Sequence, residues 1–189
     1  MLLIYAVIVG ILIGLATGGK LHGLGEVRFR LWPVALLGLA FQALLFSTPL
    51  AGSVGRLGPS LYVLSTVLVL MALVVNLRQP GIALVIVGAF LNFAVIVANG
   101  GQMPASPEAV AALIGSAGLD PKVFANSVPM TGAVLPFLGD IFVLPRPFPF
   151  ANVFSIGDVL IGIGGAWFVI RTMHHSSTAE RRMAGVGRV

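Results

Sequence analysis

The sequence contains no cysteine and few charged residues of either sign. Its 189 residues include six Asp and Glu and eleven Lys and Arg. The absence of cysteine excludes disulfides, zinc–thiolate sites and thiol nucleophiles. Charged residues make up 9% of the chain, against about 25% in a soluble domain. Hydrophobic residues make up 58% and the mean hydropathy is +1.05, so the composition predicts an integral membrane protein.

The sequence also lacks the motifs of common cofactors. It contains no dinucleotide-binding, haem or iron–sulfur signature and no phosphate-binding loop, and we expect no cofactor. The adjacent His174 and His175 have no partner ligands nearby in the sequence, so we expect no metal site. The net charge of +5 comes from scattered basic residues, a pattern that favours membrane orientation over nucleic-acid binding.

Five apolar stretches are long enough to predict an all-α, polytopic membrane helix bundle, since a spanning helix needs roughly 20 apolar residues. The predicted spans cover about residues 2–17, 31–48, 61–77, 82–98 and 153–173. The first stretch lacks a basic n-region and a cleavage motif and is predicted to be a retained helix. Residues 1–173 then form one bundle, and residues 174–189 form a polar cytoplasmic tail that we expect to be loosely ordered.

The basic residues predict the orientation of this bundle. Most of them fall on one side of the predicted spans, and that side is expected to be cytoplasmic. These residues are Lys20, Arg28, Arg30, Arg78, Arg171, Arg181, Arg182 and Arg188, against Arg56, Lys122 and Arg146 on the other side. The prediction is a multi-pass protein of the bacterial inner membrane, with its N-terminus outside and its C-terminus in the cytoplasm.

Residues 100–152 form the longest segment between the predicted spans, and we expect this segment to be an outer loop. Within it, Ser106 as N-cap and Pro107 at the first position predict a short helix that ends near Gly118. The apolar stretch 130–144 is interrupted by Pro136 and Gly139. We predict an interfacial or re-entrant piece there, because a sixth span would place the basic tail outside.

Polar residues within the predicted spans occur at one depth. They lie in the outer halves of their helices, next to the outer loop, and they are Gln42, Ser65, Thr66, Asn92, Asn99 and Asp158. This distribution predicts a polar cavity between the helices, open to the outside and roofed by the loop. The alternative is that the amides and hydroxyls only join helices by hydrogen bonds. Asp158 would then be a structural carboxylate at a helix N-terminus.

Glycines recur on the first and fifth predicted spans. They are Gly10, Gly14 and Gly18 on the first span and Gly157, Gly162, Gly164 and Gly165 on the fifth. Small residues allow helix backbones to approach closely, so we predict helix contacts at these positions.

Two aspartates flank a stiff loop and form a candidate catalytic pair. Asp140 and Asp158 are separated by Pro145, Pro147 and Pro149 and by Phe148 and Phe150. Two carboxyl groups held close together share a proton, so one acts as a base and the other as an acid. We also expect Asn152 to cap the fifth helix and Arg146 to pair with a lipid phosphate or with one aspartate.

The stretches "LGDIF" and "PFANVFSIGDVLIGIG" resemble the C-terminal region of lipoprotein signal peptidase (signal peptidase II), a family of membrane aspartyl proteases. The resemblance implies that Asp140 and Asp158 are catalytic, with Ser155 in the place of a motif asparagine. "VANGGQMPAS" resembles an earlier element of that family and places Asn99 on its asparagine. The family has four spans and a G-N-x-x-D-R motif that this sequence lacks.

Over nearly its full length, the chain resembles an uncharacterised family of small multi-span bacterial membrane proteins, a domain of unknown function. "NGGQMP" and "LGDIF…P…NVFSIGDVLI" carry this resemblance. Three functions stay open: an accessory, lipid- or ligand-binding membrane subunit, an aspartyl hydrolase acting on a membrane peptide or lipid, and a small transporter with Asp158 as carrier. The expected partners are membrane lipid, such a substrate, or a larger membrane complex.

Overall fold

The computed structural model describes residues 2–46, 55–114, 127–146 and 148–186. The predicted helix end at Gly118 and the middle proline of the loop, Pro147, lie outside the described residues, as do Lys122, Arg188 and the end of the second predicted span at 47–48.

The described chain is mostly helical. Its α-helices are α1 (Leu2–Ala16), α2 (His22–Gly25), α3 (Trp32–Leu45), α4 (Gly58–Val75), α5 (Ile82–Ala98), α6 (Pro107–Ile114) and α7 (Ile156–Val186). Short 3-10 turns cover Gly55–Leu57 and Pro136–Leu138. The five long helices overlap the five predicted apolar stretches.

Two of the described helices are long and apolar enough to cross a membrane. They are α4 and the part of α7 from Ile156 to His175, with mean hydropathies of 2.1 and 1.4. The apolar helices α1, α3 and α5 are shorter. Large apolar side chains point outward from several helices, and Leu37 is 70% exposed. An apolar outer surface of this kind marks a membrane or protein interface.

The long helices pack in the order α1–α7–α5–α4–α3. Glycines allow the closest approaches, as the sequence predicts. A Cβ atom at Gly10 would lie 3.0 Å from the Ala166 backbone on α7, and one at Gly164 would lie 2.6 Å from the Gly81 carbonyl oxygen before α5. Gly18 instead adopts φ +86° with nothing within 4 Å, so it forms a turn and not a helix contact.

The predicted outer loop, residues 100–152, is called the outer segment below. Its described residues contribute to two small sheets in addition to the predicted helix. Strands β1 (Met103–Ala105) and β2 (Ser127–Pro129) pair in parallel, and β3 (Phe142–Leu144) and β4 (Asn152–Phe154) pair antiparallel. The prediction of an all-α chain is therefore wrong for this segment, because strands of three residues are too short to show a periodicity. The apolar stretch 130–144 forms a 3-10 turn and β3 and no spanning helix, as predicted.

The ends of two elements in the second half of the chain show how local chemistry sets their limits. Helix α6 begins where predicted, because the Ala109 amide donates to Ser106 Oγ at 3.0 Å. Helix α7 begins at Ile156 and not at 153, because residues 152–154 pair in β4. It continues to Val186 through the tail that was predicted to be loosely ordered. Ala, Glu, Arg and Met in that tail favour helix.

Candidate functional site

A cavity of about 340 Å³ lies among the long helices. Its walls come from α1, α3, α4, α5, β4 and α7, and most of the lining is Leu, Val, Ile, Ala and Phe. The polar lining residues are Gln42, Tyr62, Thr66, Asn92, Asn152 and Asp158. The structure thus brings together Gln42, Thr66, Asn92 and Asp158, which the sequence places at one depth on four different helices.

Asp158 is held by a reciprocal cap at the start of α7. The Asp158 amide donates to Ser155 Oγ at 3.0 Å, and the Ser155 amide donates to Asp158 Oδ2 at 3.0 Å. This is a capping box, in which the N-cap and N3 residues satisfy each other's backbone donors. Ser155, and not Asn152 as predicted, therefore caps this helix, and the S-x-x-D spacing at 155–158 carries the signal for it.

Asn92 joins this cap to α5. Its Nδ2 donates to Asp158 Oδ1 at 3.0 Å, and its Oδ1 accepts from Ser155 Oγ at 2.8 Å. The amide reaches the cap because Gly157 has no side chain, and a Cβ there would lie 2.6 Å from Asn92 Cγ. Both oxygens of Asp158 thus accept one hydrogen bond each, and the carboxylate is fixed at the cavity wall.

Gln42 forms the polar contact between α3 and α4. Its Nε2 donates to Ser65 Oγ at 3.2 Å and to Thr66 Oγ1 at 3.1 Å. Both hydroxyls in turn donate to the Tyr62 carbonyl oxygen at 2.8 Å. Tyr62 is not in the polar set predicted from the sequence. Its position three and four residues before Ser65 and Thr66 nevertheless puts it on the same helix face.

Asp140 is buried in the outer segment, at 2% exposure. Its amide donates to the Pro104 carbonyl oxygen at 2.9 Å, and its own carbonyl oxygen accepts from the Ser106 amide at 3.0 Å. The Ser127 hydroxyl donates to Oδ2, whereas Oδ1 has no hydrogen-bond partner within the described part of the chain. The pKa of Asp140 is raised to about 6 as the net result of several causes. Burial raises it most, the hydrogen bond from Ser127 lowers it, and the Asp158 charge raises it.

The two aspartates therefore have separate partners. Asp140 binds Ser127, and Asp158 binds Asn92 and Ser155. Asp140 is not among the described residues that line the cavity. The Asp158 charge nevertheless contributes to the raised pKa of Asp140, so the two groups interact electrostatically. Sharing of one proton between them stays a prediction.

The other predicted binding residues divide between the cavity and the backbone of the outer segment. Asn152 lines the cavity from β4. Asn99 is not among the described residues that line the cavity. Its side chain binds the loop backbone at Val134 instead: Oδ1 accepts from the Val134 amide at 2.8 Å, and Nδ2 donates to the Val134 carbonyl oxygen at 2.9 Å. Arg146 donates from Nε to the Leu113 carbonyl oxygen at 2.8 Å, and not to a carboxylate.

The histidine pair does not form a metal site with other residues described in the structure. Nδ1 of His174 lies 2.8 Å from the Ile170 carbonyl oxygen and Nε2 lies 3.1 Å from the Thr17 carbonyl oxygen. Both ring nitrogens therefore contact the backbone. Within residues 2–46, 55–114, 127–146 and 148–186, no three His, Asp or Glu side chains are grouped to hold an ion.

Comparison with known proteins gives a family without an assigned activity. The model of a family of unknown function, DUF5317, matches residues 26–170. No curated protein matches the chain. No solved structure matches it either.

Proposed function

Because the chain belongs to DUF5317, a family of unknown function, we propose its function from its cavity: it is a membrane protein that binds a small amphiphile with a positively charged head group. The observation that supports this proposal most is the composition of the cavity wall. Among the described residues that line it, a single carboxylate, Asp158, is accompanied by amides, hydroxyls and a largely apolar set of side chains.

In this proposal all five long helices cross the bacterial inner membrane, with the N-terminus outside. At 1.5 Å per residue, α1, α3 and α5 span about 21–26 Å, slightly less than a hydrocarbon core of about 30 Å. Local thinning of the bilayer accommodates such a mismatch. Phe148 and Phe150 are 52% and 57% exposed in the outer loop, where they would rest on the membrane surface.

The charge of the cavity favours a cationic head group. Asp158 is the one formally charged side chain among the described residues that line it. An ionised carboxylate offers about four acceptor positions, and two are occupied by Asn92 and Ser155. A bound ammonium group would use the remaining positions. It would also compensate a negative charge that is costly to hold beside hydrocarbon.

The apolar lining favours a hydrocarbon tail on the same ligand. Leu39, Val69, Leu70 and Ile161 face the cavity from α3, α4 and α7. A volume of about 340 Å³ holds roughly eleven water-sized groups at about 30 Å³ each. Ligand cavities of this size are lined mainly by apolar side chains with a few polar groups that orient the ligand. A chain of about eight carbons with one polar head fits this description.

The experiment compares octylamine with octanoate, which have equal tails and opposite head-group charges. Calorimetric titration of the purified full chain in a neutral detergent gives both dissociation constants. We expect octylamine to bind at least tenfold more tightly. Asn152→Asp should increase this preference, because it adds a second carboxylate at a position that lines the cavity.

Asp158→Asn should abolish the preference, and Glu108→Gln is the matched control. Glu108 is an exposed acid on α6, so its substitution changes the net charge equally but should leave the preference within twofold. Equal binding of the two amphiphiles by the unmodified chain would contradict the proposal. An equal response to Asp158→Asn and Glu108→Gln would show that only the overall charge matters.

An aspartyl hydrolase is the second candidate, and the state of Asp140 favours it. Within the described residues, the pKa of Asp140 is raised to about 6 and its Oδ1 has no hydrogen-bond partner, which suits the proton-donating member of an aspartyl dyad. We propose to test it with Asp140→Asn and Asp158→Asn, scored for uncleaved membrane precursors in cells. Normal processing in both variants, with normal protein levels, would exclude the hydrolase.

A further inference from the structure

A second and larger cavity lies about halfway along α7, where the apolar part of that helix ends. Its volume is about 630 Å³, and its walls come from the loop after α2, the α4–α5 loop and the end of the apolar part of α7. It is lined by Gly23, Glu26, Val27, Arg28, Arg78, Gln79, Pro80, Arg171, Thr172, His174 and His175. Arg171 is thirteen positions after Asp158, which places this cavity roughly 20 Å from the first along the helix.

Three arginines from three separate parts of the chain converge on this cavity. Arg28, Arg78 and Arg171 are exposed, and none forms an ion pair with a described Asp or Glu. The one acid in the lining, Glu26, lies 3.3 Å from His22. Among the described residues that line the cavity, three guanidinium groups stand against one carboxylate, so these residues carry a net positive charge.

Hydrogen bonds between backbone and side chains hold the walls in place. The buried Asn76 at the end of α4 accepts from the Arg30 amide at 2.8 Å and donates to the Arg30 carbonyl oxygen at 2.6 Å. Gln79 donates to the Arg28 carbonyl oxygen at 3.4 Å. On the other side, the Lys20 amide donates to the Met173 carbonyl oxygen at 2.9 Å. The loops that carry the arginines are thus tied to their neighbours before any ligand binds.

We propose that this basic cavity binds a phosphate group. The planar guanidinium fork matches phosphate oxygens with two parallel hydrogen bonds, and basic pockets at the cytoplasmic ends of helices bind anionic lipid head groups. The positive-inside pattern explains why these arginines share one side of the membrane, but it does not explain why they converge on one cavity. Arg30 lies in the same loop as Arg28 and does not line the cavity. This site does not depend on the amphiphile cavity.

The experiment separates a lipid head group from a free phosphate. The purified full chain in a neutral detergent is titrated with short-chain phosphatidylglycerol in one arm and with inorganic phosphate in the other. Binding of the lipid without displacement by phosphate identifies a head-group site. Binding of inorganic phosphate that is unaffected by the lipid identifies a soluble ligand. Either result supports the proposal, and binding of neither probe overturns it.

The variants test whether the cavity itself is responsible. Arg28→Gln, Arg78→Gln and Arg171→Gln should each weaken binding of the active probe by about tenfold, because each removes a charge-assisted hydrogen bond. Glu26→Gln should strengthen binding by removing the one acid. Arg30→Gln is the matched control and should change binding by less than twofold. A loss with Arg30→Gln equal to that with the three cavity variants would show a nonspecific charge effect and refute the site.

Discussion

The cap of α7 should contribute more to stability than the cap of α6, although both are serine N-caps. Ser106 Oγ accepts one hydrogen bond, from the Ala109 amide. Ser155 Oγ accepts from the Asp158 amide and also donates to Asn92 Oδ1. Ser155 is 0% exposed, so water cannot replace either bond. The two serines therefore form a matched pair that differs in the contact between α7 and α5.

The magnitudes follow from these contacts. Ser106→Ala should lower the free energy of unfolding by about 1 kcal/mol, the usual cost of losing an N-cap. Ser155→Ala loses the same cap and leaves the Asn92 oxygen without its donor, which adds about 1–3 kcal/mol. The expected total is about 2–4 kcal/mol.

Denaturant titration of the purified variants in detergent micelles, followed by circular dichroism, measures both values. The free energy of unfolding should decrease in the order unmodified chain, Ser106→Ala, Ser155→Ala. The difference between the two variants should be at least as large as the loss caused by Ser106→Ala. If Ser155→Ala costs no more than Ser106→Ala, the bond to α5 contributes nothing and the interpretation of Asp158 as a fixed cavity wall is wrong.

Three further predictions concern packing, pH and topology. Gly157→Ala should destabilise the chain by about 1–3 kcal/mol in the same titration, because a Cβ there would lie 2.6 Å from atoms of α5. The control Gly162→Ala, with no neighbour closer than 3.4 Å, should instead stabilise the chain by about 0.5–1 kcal/mol. Equal effects of the two substitutions would refute the close contact between Gly157 and α5. The pKa of Asp140 is raised from 3.8 to about 6 in the folded chain, so the folded state binds this proton more tightly than the unfolded state. The free energy of unfolding should therefore fall by up to about 3 kcal/mol as the pH rises from 4 to 6. Asp140→Asn should remove this pH dependence, and an unchanged dependence would show that another group causes it. Since the chain has no cysteine, a membrane-impermeant maleimide should label Phe148→Cys but not Arg28→Cys in cells with a permeabilised outer membrane, and the reverse pattern would invert the proposed topology.

The positions of the long helices could be predicted because apolar runs of this length exceed the usual length of a strand and favour a helix. The shared depth of Gln42, Thr66, Asn92 and Asp158 could be predicted for a related reason. The rise per residue of a helix is constant, so the distance from a helix end gives the depth of a side chain. These four residues line one cavity in the structure, whereas Ser65 and Asn99, which the sequence places at the same depth, are not among its lining residues.

The hydrogen-bond partners of these residues were harder to predict. The resemblance to signal peptidase II places Ser155 on an asparagine of that family's motif. The spacing of Ser155 to Asp158 is instead that of a capping box, which the structure contains. Asn99 was expected near the cavity, but a helix-terminal amide is also well placed to bind a nearby loop, and it binds Val134. Position along a helix does not distinguish capping from loop binding, because Ser155 and Asn99 both lie at a helix end.

The strands and the basic cavity depend on contacts between distant parts of the chain. Each strand has three residues and its partner lies beyond a turn or a helix, so no local periodicity indicates it. The arginines of the basic cavity come from positions 28, 78 and 171. They converge only because α7 packs against α2 and α5, and a single sequence does not determine that packing order.

Binding beside Asp158 is tested most directly by protection of a single cysteine, Asn152→Cys, in the cavity wall. The measurement is the rate of maleimide labelling of the purified chain with octylamine, with octanoate and without either, and Phe148→Cys in the exposed loop is the control. A cationic amphiphile seated in the cavity predicts that octylamine slows labelling at residue 152 at least fivefold, that octanoate does not, and that labelling at residue 148 is unchanged. Equal labelling rates at residue 152 in all three conditions would contradict the proposed function.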